Sequence, residues 1–258
     1  MGMIQRANEE GMEIYMDVYP YTATSTSYSS ILIPNAWRAG GKEELLKRIN
    51  DPVQVEQLRE RFYSKYTDFG FVQVTSCPGA PEYEGLRVPQ IAELRGQDEF
   101  TAAMDVMRIS KDAAKACFFT VCEEDVEAVI ANPRAMICTD GGVDVQSSSF
   151  HPRVKASFPR AISRYVREKG VVSLPEMIRK MTSMPAAVYG LKTKGLVWEG
   201  FDADLCIFDP ETILDHADFQ DPTRRCEGLA YVIVGGKIAA INAEATGALG
   251  GKMLYRDL

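Results

Sequence analysis

Polar and apolar positions along the chain change their period often, and the changes mark elements. Residues 4–11 are mostly polar and close on Gly11, which predicts the end of a helix with a glycine cap. Residues 12–19 then alternate and carry β-prone side chains, which predicts a strand. Residues 21–30 are rich in Ser and Thr and read as a loop. Residues 41–66 are charged and helical, with a break at Asp51-Pro52. A strand is expected over 69–75, helices over 88–93 and 100–115, and a short apolar strand over 117–121. Residues 123–131 form a helix pattern whose first turn is acidic, which suits the helix dipole. The run 135–139 is a buried-type strand, and Asp140-Gly141-Gly142 follows it directly. A long loop through His151-Pro152-Arg153 leads to a helix over 160–168. Ser173 caps a further helix, with Pro175 near its start. From Gly195 the texture shifts to glycine-punctuated β stretches, 195–208 and 231–241, the strands of a small sheet or sandwich. Helices alternating with strands, then a β-rich tail, make this an α/β chain. No internal repeat or low-complexity linker interrupts it.

Composition narrows the function classes. The 258 residues are 46% hydrophobic and 25% charged, ordinary for a globular protein with a substantial core. A formal charge of -7 and a pI near 5.1 leave no basic field for phosphates, so neither nucleic acid nor an anionic membrane surface is an expected partner. No apolar run reaches the roughly 20 residues of a spanning helix. Six scattered cysteines with no CxxC pair read as reduced thiols, and a cytoplasmic setting is expected. Only two histidines occur, His151 and His216. A metal centre built mainly on imidazoles cannot be assembled from two rings so far apart in sequence.

Three segments could carry chemistry. Asp140 lies at the carboxyl end of a predicted strand and is followed by glycines, where barrel enzymes place catalytic groups. A carboxylate there can take a proton from water and return it to a leaving amine. Asp-Gly is also the signature of a tight turn, and spacing alone favours the turn. His151 and Arg153 stand on the following loop, where a guanidinium could orient a substrate carboxylate. The alternative is a surface loop with an ordinary ion pair. Tyr19, in Tyr19-Pro20-Tyr21, could present a phenol to a polar ligand or simply pack. His216, between acidic neighbours, reads as an exposed loop residue. No phosphate-binding glycine loop, GxSxG elbow or HExxH helix is present.

Taken in order, these segments resemble one family, the N-acyl-D-amino-acid deacylases (D-aminoacylases) of the metal-dependent amidohydrolase superfamily. The resemblance rests on GMEIYMDVYPY (11–21), TDGG (139–142), FHPR (150–153) with SFPR (157–160), SLPEMIRKMTSMPAAVYGL (173–191) and KGLVWEGFDADLCIFDP (194–210). It implies the last strands and helices of a partial (β/α)8 barrel over residues 1–190, with an insertion at about 35–97 that could form a lid. It further implies part of a small β-sandwich over 191–258. The implied activity is zinc-assisted hydrolysis of an N-acyl amino acid, with Asp140 as general acid/base and possible metal ligand. Tyr19, His151 and Arg153 are the implied substrate contacts.

The family's His-x-His pair, its cysteine or modified-lysine ligand and its two further histidines are absent from this chain. The chain therefore reads as the C-terminal half of such an enzyme, inactive alone, which either meets a missing N-terminal half or self-associates. A non-catalytic, oligomerising fragment is the competing reading. A cyclic-amidase or dipeptidase substrate is a further one.

Overall fold

The computed structural model describes residues 2–142 and 151–254. They divide into two compact units, one drawn from 1–21, 122–143 and 152–258, the other from 22–121 with His151.

The chain opens with α1 (Gly2–Glu9), and Gly11 follows with φ +92°, the left-handed conformation a helix stop favours. The expected strand over 12–19 shortens to β1 (Met16–Val18). The Asn8 side chain explains the shortening: its amide donates to the Ile14 carbonyl (3.2 Å) and its oxygen accepts from the Ile14 N–H (3.0 Å). That backbone is thereby tied to the helix end instead of a ladder.

In the second unit, the Ser/Thr-rich segment expected as a loop folds instead as β2 (Thr24–Ser27) and α2 (Tyr28–Leu32). β2 pairs antiparallel with a later strand, and its outward side is polar enough to stay wet. The short α3 (Asn35–Arg38) leads to α4 (Gly41–Arg48) and α5 (Pro52–Tyr63). The break between α4 and α5 falls at Asp51, whose carboxylate accepts from the N–H groups of Val53 (2.9 Å) and Gln54 (3.1 Å). Then come β3 (Val72–Ser76), α6 (Val88–Arg95), α7 (Glu99–Ile109) and β4 (Lys115–Phe118). The helix expected over 100–115 stops at Ile109 because Lys111 and Asp112 take positive φ (51° and 56°) and turn the chain into β4. The sheet order is β2-β4-β3, all antiparallel. A continuous core of buried side chains from Tyr28 to Phe118 holds this unit, with Phe62 and Phe69 stacked at 3.7 Å near its centre.

In the first unit, α8 (Glu123–Ala131) precedes β5 (Ala135–Ile137), whose three residues are all buried. β5 lies parallel to β1, with Asp17 opposite Met136. A run buried on both faces is what a parallel strand covered by helices requires. The helix expected from Arg160 begins earlier, as α9 (Arg153–Ile162), so Arg153 stands on a helix and not on a loop. The remainder of the loop, 143–150, lies outside the described residues. Pro159 sits inside α9, and the chain passes from it into a wider π-helical segment, Ser163–Glu168. Next are α10 (Leu174–Met181), capped by Ser173, and α11 (Ser183–Tyr189). Lys180 in α10 is fully buried, and its ammonium donates to the carbonyls of Asn132 and Ala135 (3.1 Å to the latter), anchoring the start of β5.

The tail forms an antiparallel sheet of β6 (Leu205–Phe208), β7 (Leu229–Val234), β8 (Lys237–Ile241) and β9 (Glu244–Ala245), in that order. Gly235 and Gly236 both have positive φ and close the β7–β8 hairpin, as a two-residue turn demands. The three sheets remain separate and none of them closes on itself among the described residues.

Candidate active site

Three of the four residues singled out from the sequence stand in the first unit, and they meet. Asp140 follows β5 by three residues and takes φ +42°. This sparsely populated conformation is one that Asp tolerates better than most residues. Gly141 is required next to it: a Cβ there would come within 3.0 Å of both Cα and Cγ2 of Val154. The start of α9 is thus pressed against the Asp140 turn.

That packing delivers Arg153. Its side chain is 7% exposed, and its Nη2 lies 2.8 Å from Oδ2 of Asp140, which is 63% exposed. The same guanidinium lies 4.4 Å from the centroid of the Tyr19 ring, a cation–π contact. Burial pushes the Tyr19 phenol above its ordinary value, with Arg153 pulling the other way, so it stays protonated at neutral pH. The Arg153 guanidinium is thus buried, backed by an aromatic face and paired with an exposed carboxylate.

His151 is in the second unit. It is 2% exposed, and its Nε2 lies 2.9 Å from the Ala23 carbonyl oxygen. His216 is half-buried, with Nε2 3.0 Å from Oε2 of Glu227. The reading of His216 as exposed overlooked that partner.

Two neighbours of the site were not singled out as site residues from the sequence. Cys138 lies between β5 and Asp140, and burial, then the Asp17 carboxylate, pushes its thiol up to about 11. It is therefore a neutral thiol near pH 7. Arg160, seven residues after Arg153, reaches the Tyr19-Pro20-Tyr21 segment from the same helix; its signals in the sequence were the SFPR motif and the i, i+7 spacing. One cavity of about 470 Å³, lined by Asp209, Cys226–Ala230 and Asn242, lies by the tail sheet and includes none of the candidate residues.

Among the described residues, no three His, Cys, Asp or Glu side chains gather as a metal centre. Asp140, the one candidate ligand, faces a guanidinium. The described residues of this chain thus do not by themselves fit a metal, and no catalytic step is assigned to one.

A family model described as "Amidohydrolase family" matches residues 54–240. The chain belongs to the amidohydrolase family. Among curated relatives, it is 30% identical over 233 residues to the N-acyl-D-glutamate deacylase of Alcaligenes xylosoxydans xylosoxydans, covering 90% of this chain and 40% of that protein. It is 33% identical over 183 residues to the D-aminoacylase of the same organism, covering 71% of this chain and 36% of the relative. This amidohydrolase chain also superposes on a crystal structure of N-acyl-D-glutamate deacylase from Bordetella bronchiseptica, complexed with zinc and a phosphonate inhibitor. There the TM-score is 0.71 and the identity 29%, over 95% of this chain and 44% of the other. The α/β fold is thus of the deacylase kind, and the chain spans less than half the length of these relatives.

Proposed function

We propose that this chain supplies the C-terminal part of an N-acyl-D-amino-acid deacylase, an enzyme that hydrolyses the amide bond to release a carboxylate and a D-amino acid. The carrying observation is the Asp140–Arg153–Tyr19 set beyond the carboxyl ends of the parallel strands β1 and β5, in a chain whose relatives are named for that reaction. In this reading, Asp140 accepts a proton from the attacking water and passes it to the leaving nitrogen. Arg153 exchanges its partner, Asp140, for the carboxylate of the amino-acid portion, a planar anion its fork matches. Tyr19 holds that fork flat. His151 supports the fold of its own unit through the Ala23 carbonyl and is read as a positioning rather than a contact residue.

The parallel pair β1–β5 with α8, α9 and α10 is read as the last portion of a (β/α)8 barrel, and β6–β9 as part of a β-sandwich. In this reading residues 1–190 are barrel, with an insertion at about 35–97, and residues 191–258 belong to the sandwich. Zinc, in this reading, takes its remaining ligands from outside the described residues. None of the six cysteines is in a disulfide, which supports a cytoplasmic setting. No helix among the described residues is long and apolar enough to cross a membrane.

The test offers N-acetyl-D-glutamate, N-acetyl-D-leucine and their L enantiomers to the chain alone, and to the chain mixed with the portion of a deacylase it does not span. Hydrolysis of D substrates by the mixture and none by the chain alone is expected. A mixture that hydrolyses nothing, around a stably folded multimer, would instead establish the non-catalytic reading.

A further inference from the structure

The SFPR segment enters neither the proton transfer nor the carboxylate contact, yet its arginine is tied into the site from behind. Tyr19, Pro20 and Tyr21 form a tight turn closed by the Tyr21 N–H donating to the Tyr19 carbonyl at 2.9 Å. The central carbonyl, that of Pro20, accepts from Nε of Arg160 at 2.8 Å. The Arg160 guanidinium also lies 4.7 Å from the Tyr21 ring centroid, as Arg153 lies 4.4 Å from that of Tyr19. Two arginines two helical turns apart on α9 thus stack on the two tyrosines that flank Pro20. The backbone between them is hydrogen-bonded to the second arginine.

Arg160 is itself aimed. Its Nη1 donates to Oδ2 of Asp215 at 3.1 Å, and the other Asp215 oxygen accepts from the Ser163 hydroxyl at 2.9 Å. The Asp215 side chain is 7% exposed, Ser163 is buried, and the Tyr21 ring meets Phe219 edge-on at 6.1 Å. Ser163 opens the π-helical segment that follows α9. A buried carboxylate with both oxygens occupied fixes one orientation of the arginine.

We propose that Arg160, oriented by Asp215, is a positioning residue that holds the Tyr19–Tyr21 turn in the geometry in which Tyr19 backs Arg153. The structural part stands on these contacts, and the consequence for substrate binding rests on the deacylase reading. Arg160 touches no reacting atom, so its loss weakens substrate and transition state alike: KM rises and kcat is little changed.

The experiment compares wild type with Arg160→Leu and Arg160→Lys, and uses two readouts. The first is amide hydrogen exchange at Tyr21, with the β7–β8 strands as internal reference. The second is KM and kcat for N-acetyl-D-glutamate in the complemented enzyme. Arg160→Leu is expected to speed Tyr21 exchange on the order of tenfold with the reference strands unmoved. It should also raise KM on the order of tenfold at near-constant kcat. Arg160→Lys should recover only part of both, because a lysine cannot fork between the Pro20 carbonyl and Asp215. Should Arg160→Leu fail to fold, Asp215→Asn, which keeps the shape and loses the charge, is expected to move both readouts the same way by several-fold.

Unchanged Tyr21 exchange, acceleration spread evenly over the chain, or a fall in kcat at constant KM overturns the proposal. An unsubstituted enzyme that hydrolyses no acyl amino acid overturns the deacylase reading, while the exchange arm still judges the clamp.

Discussion

At the scale of single residues, burial decides which polar groups are structural and which are poised. Lys180 is completely buried, yet its three donors face two carbonyls and, at 3.6 Å, the Glu176 carboxylate, so the charge is compensated. Tyr28 is the opposite case. It is 1% exposed, and its hydroxyl has no hydrogen-bond partner among the described residues. Tyr28→Phe removes a desolvated hydroxyl without opening a cavity, and is expected to stabilise the chain by about 1 kcal/mol at pH 8, measured by urea unfolding. Burial, helped by Cys77, also raises the Tyr28 phenol above its ordinary value. The folded state then keeps a proton that the unfolded chain releases, so this group leaves stability independent of pH below about pH 10 and lowers it as pH rises beyond. The variant should therefore lose stability less steeply between pH 10 and 11 than wild type. Destabilisation by Tyr28→Phe at pH 8 would show that the hydroxyl has a partner.

At the scale of elements, what was legible in the sequence followed from local chemistry. The α4–α5 break at Asp51-Pro52, the acidic start of α8, the Ser173 cap of α10 and the apolar β5 run each state their structure within a few residues. What was not legible depended on partners far along the chain. β2 is a strand because β4, some 90 residues later, offers it a ladder, and its Ser/Thr composition alone signals a loop. The early start of α9 goes with the contact of Val154 against the Asp140 turn, and nothing local marks the passage from α9 into a π segment after Ile162. Asp140, Arg153 and Tyr19 were each visible as residues, but their convergence was not, because strand register and helix phase place them together.

Asp98, which caps α7, gives the element scale a pH test. Partial burial raises its carboxyl, but hydrogen bonds from Arg59 and Thr101 together outweigh this and leave it at about 2. A carboxyl depressed below its unfolded value contributes fully above about pH 4, and its contribution is lost as pH falls through about 2. Asp98→Asn should make acid unfolding shallower across that window, followed by circular dichroism. An acid limb identical to wild type would mean that the cap carries no charge-dependent stability.

At the scale of the whole molecule, the buried cluster from Tyr28 to Phe118 lies wholly within one of the two units. A polypeptide of residues 22–121 is therefore expected to fold alone, with a cooperative melt and dispersed amide resonances. An uncooperative melt would show that its core needs the other unit. The first unit has the reverse character: its candidate site stands on a parallel pair of strands, beside a tail sheet in which no residue of β6, β7, β8 or β9 is fully buried.

The measurement that bears most directly on the account is kcat/KM for N-acetyl-D-glutamate in the complemented enzyme, wild type against Asp140→Asn, with folding verified for both. The amide keeps the shape and the turn but cannot exchange a proton, so a loss on the order of 10²–10⁴ is predicted. Retention of full activity by Asp140→Asn would contradict the account.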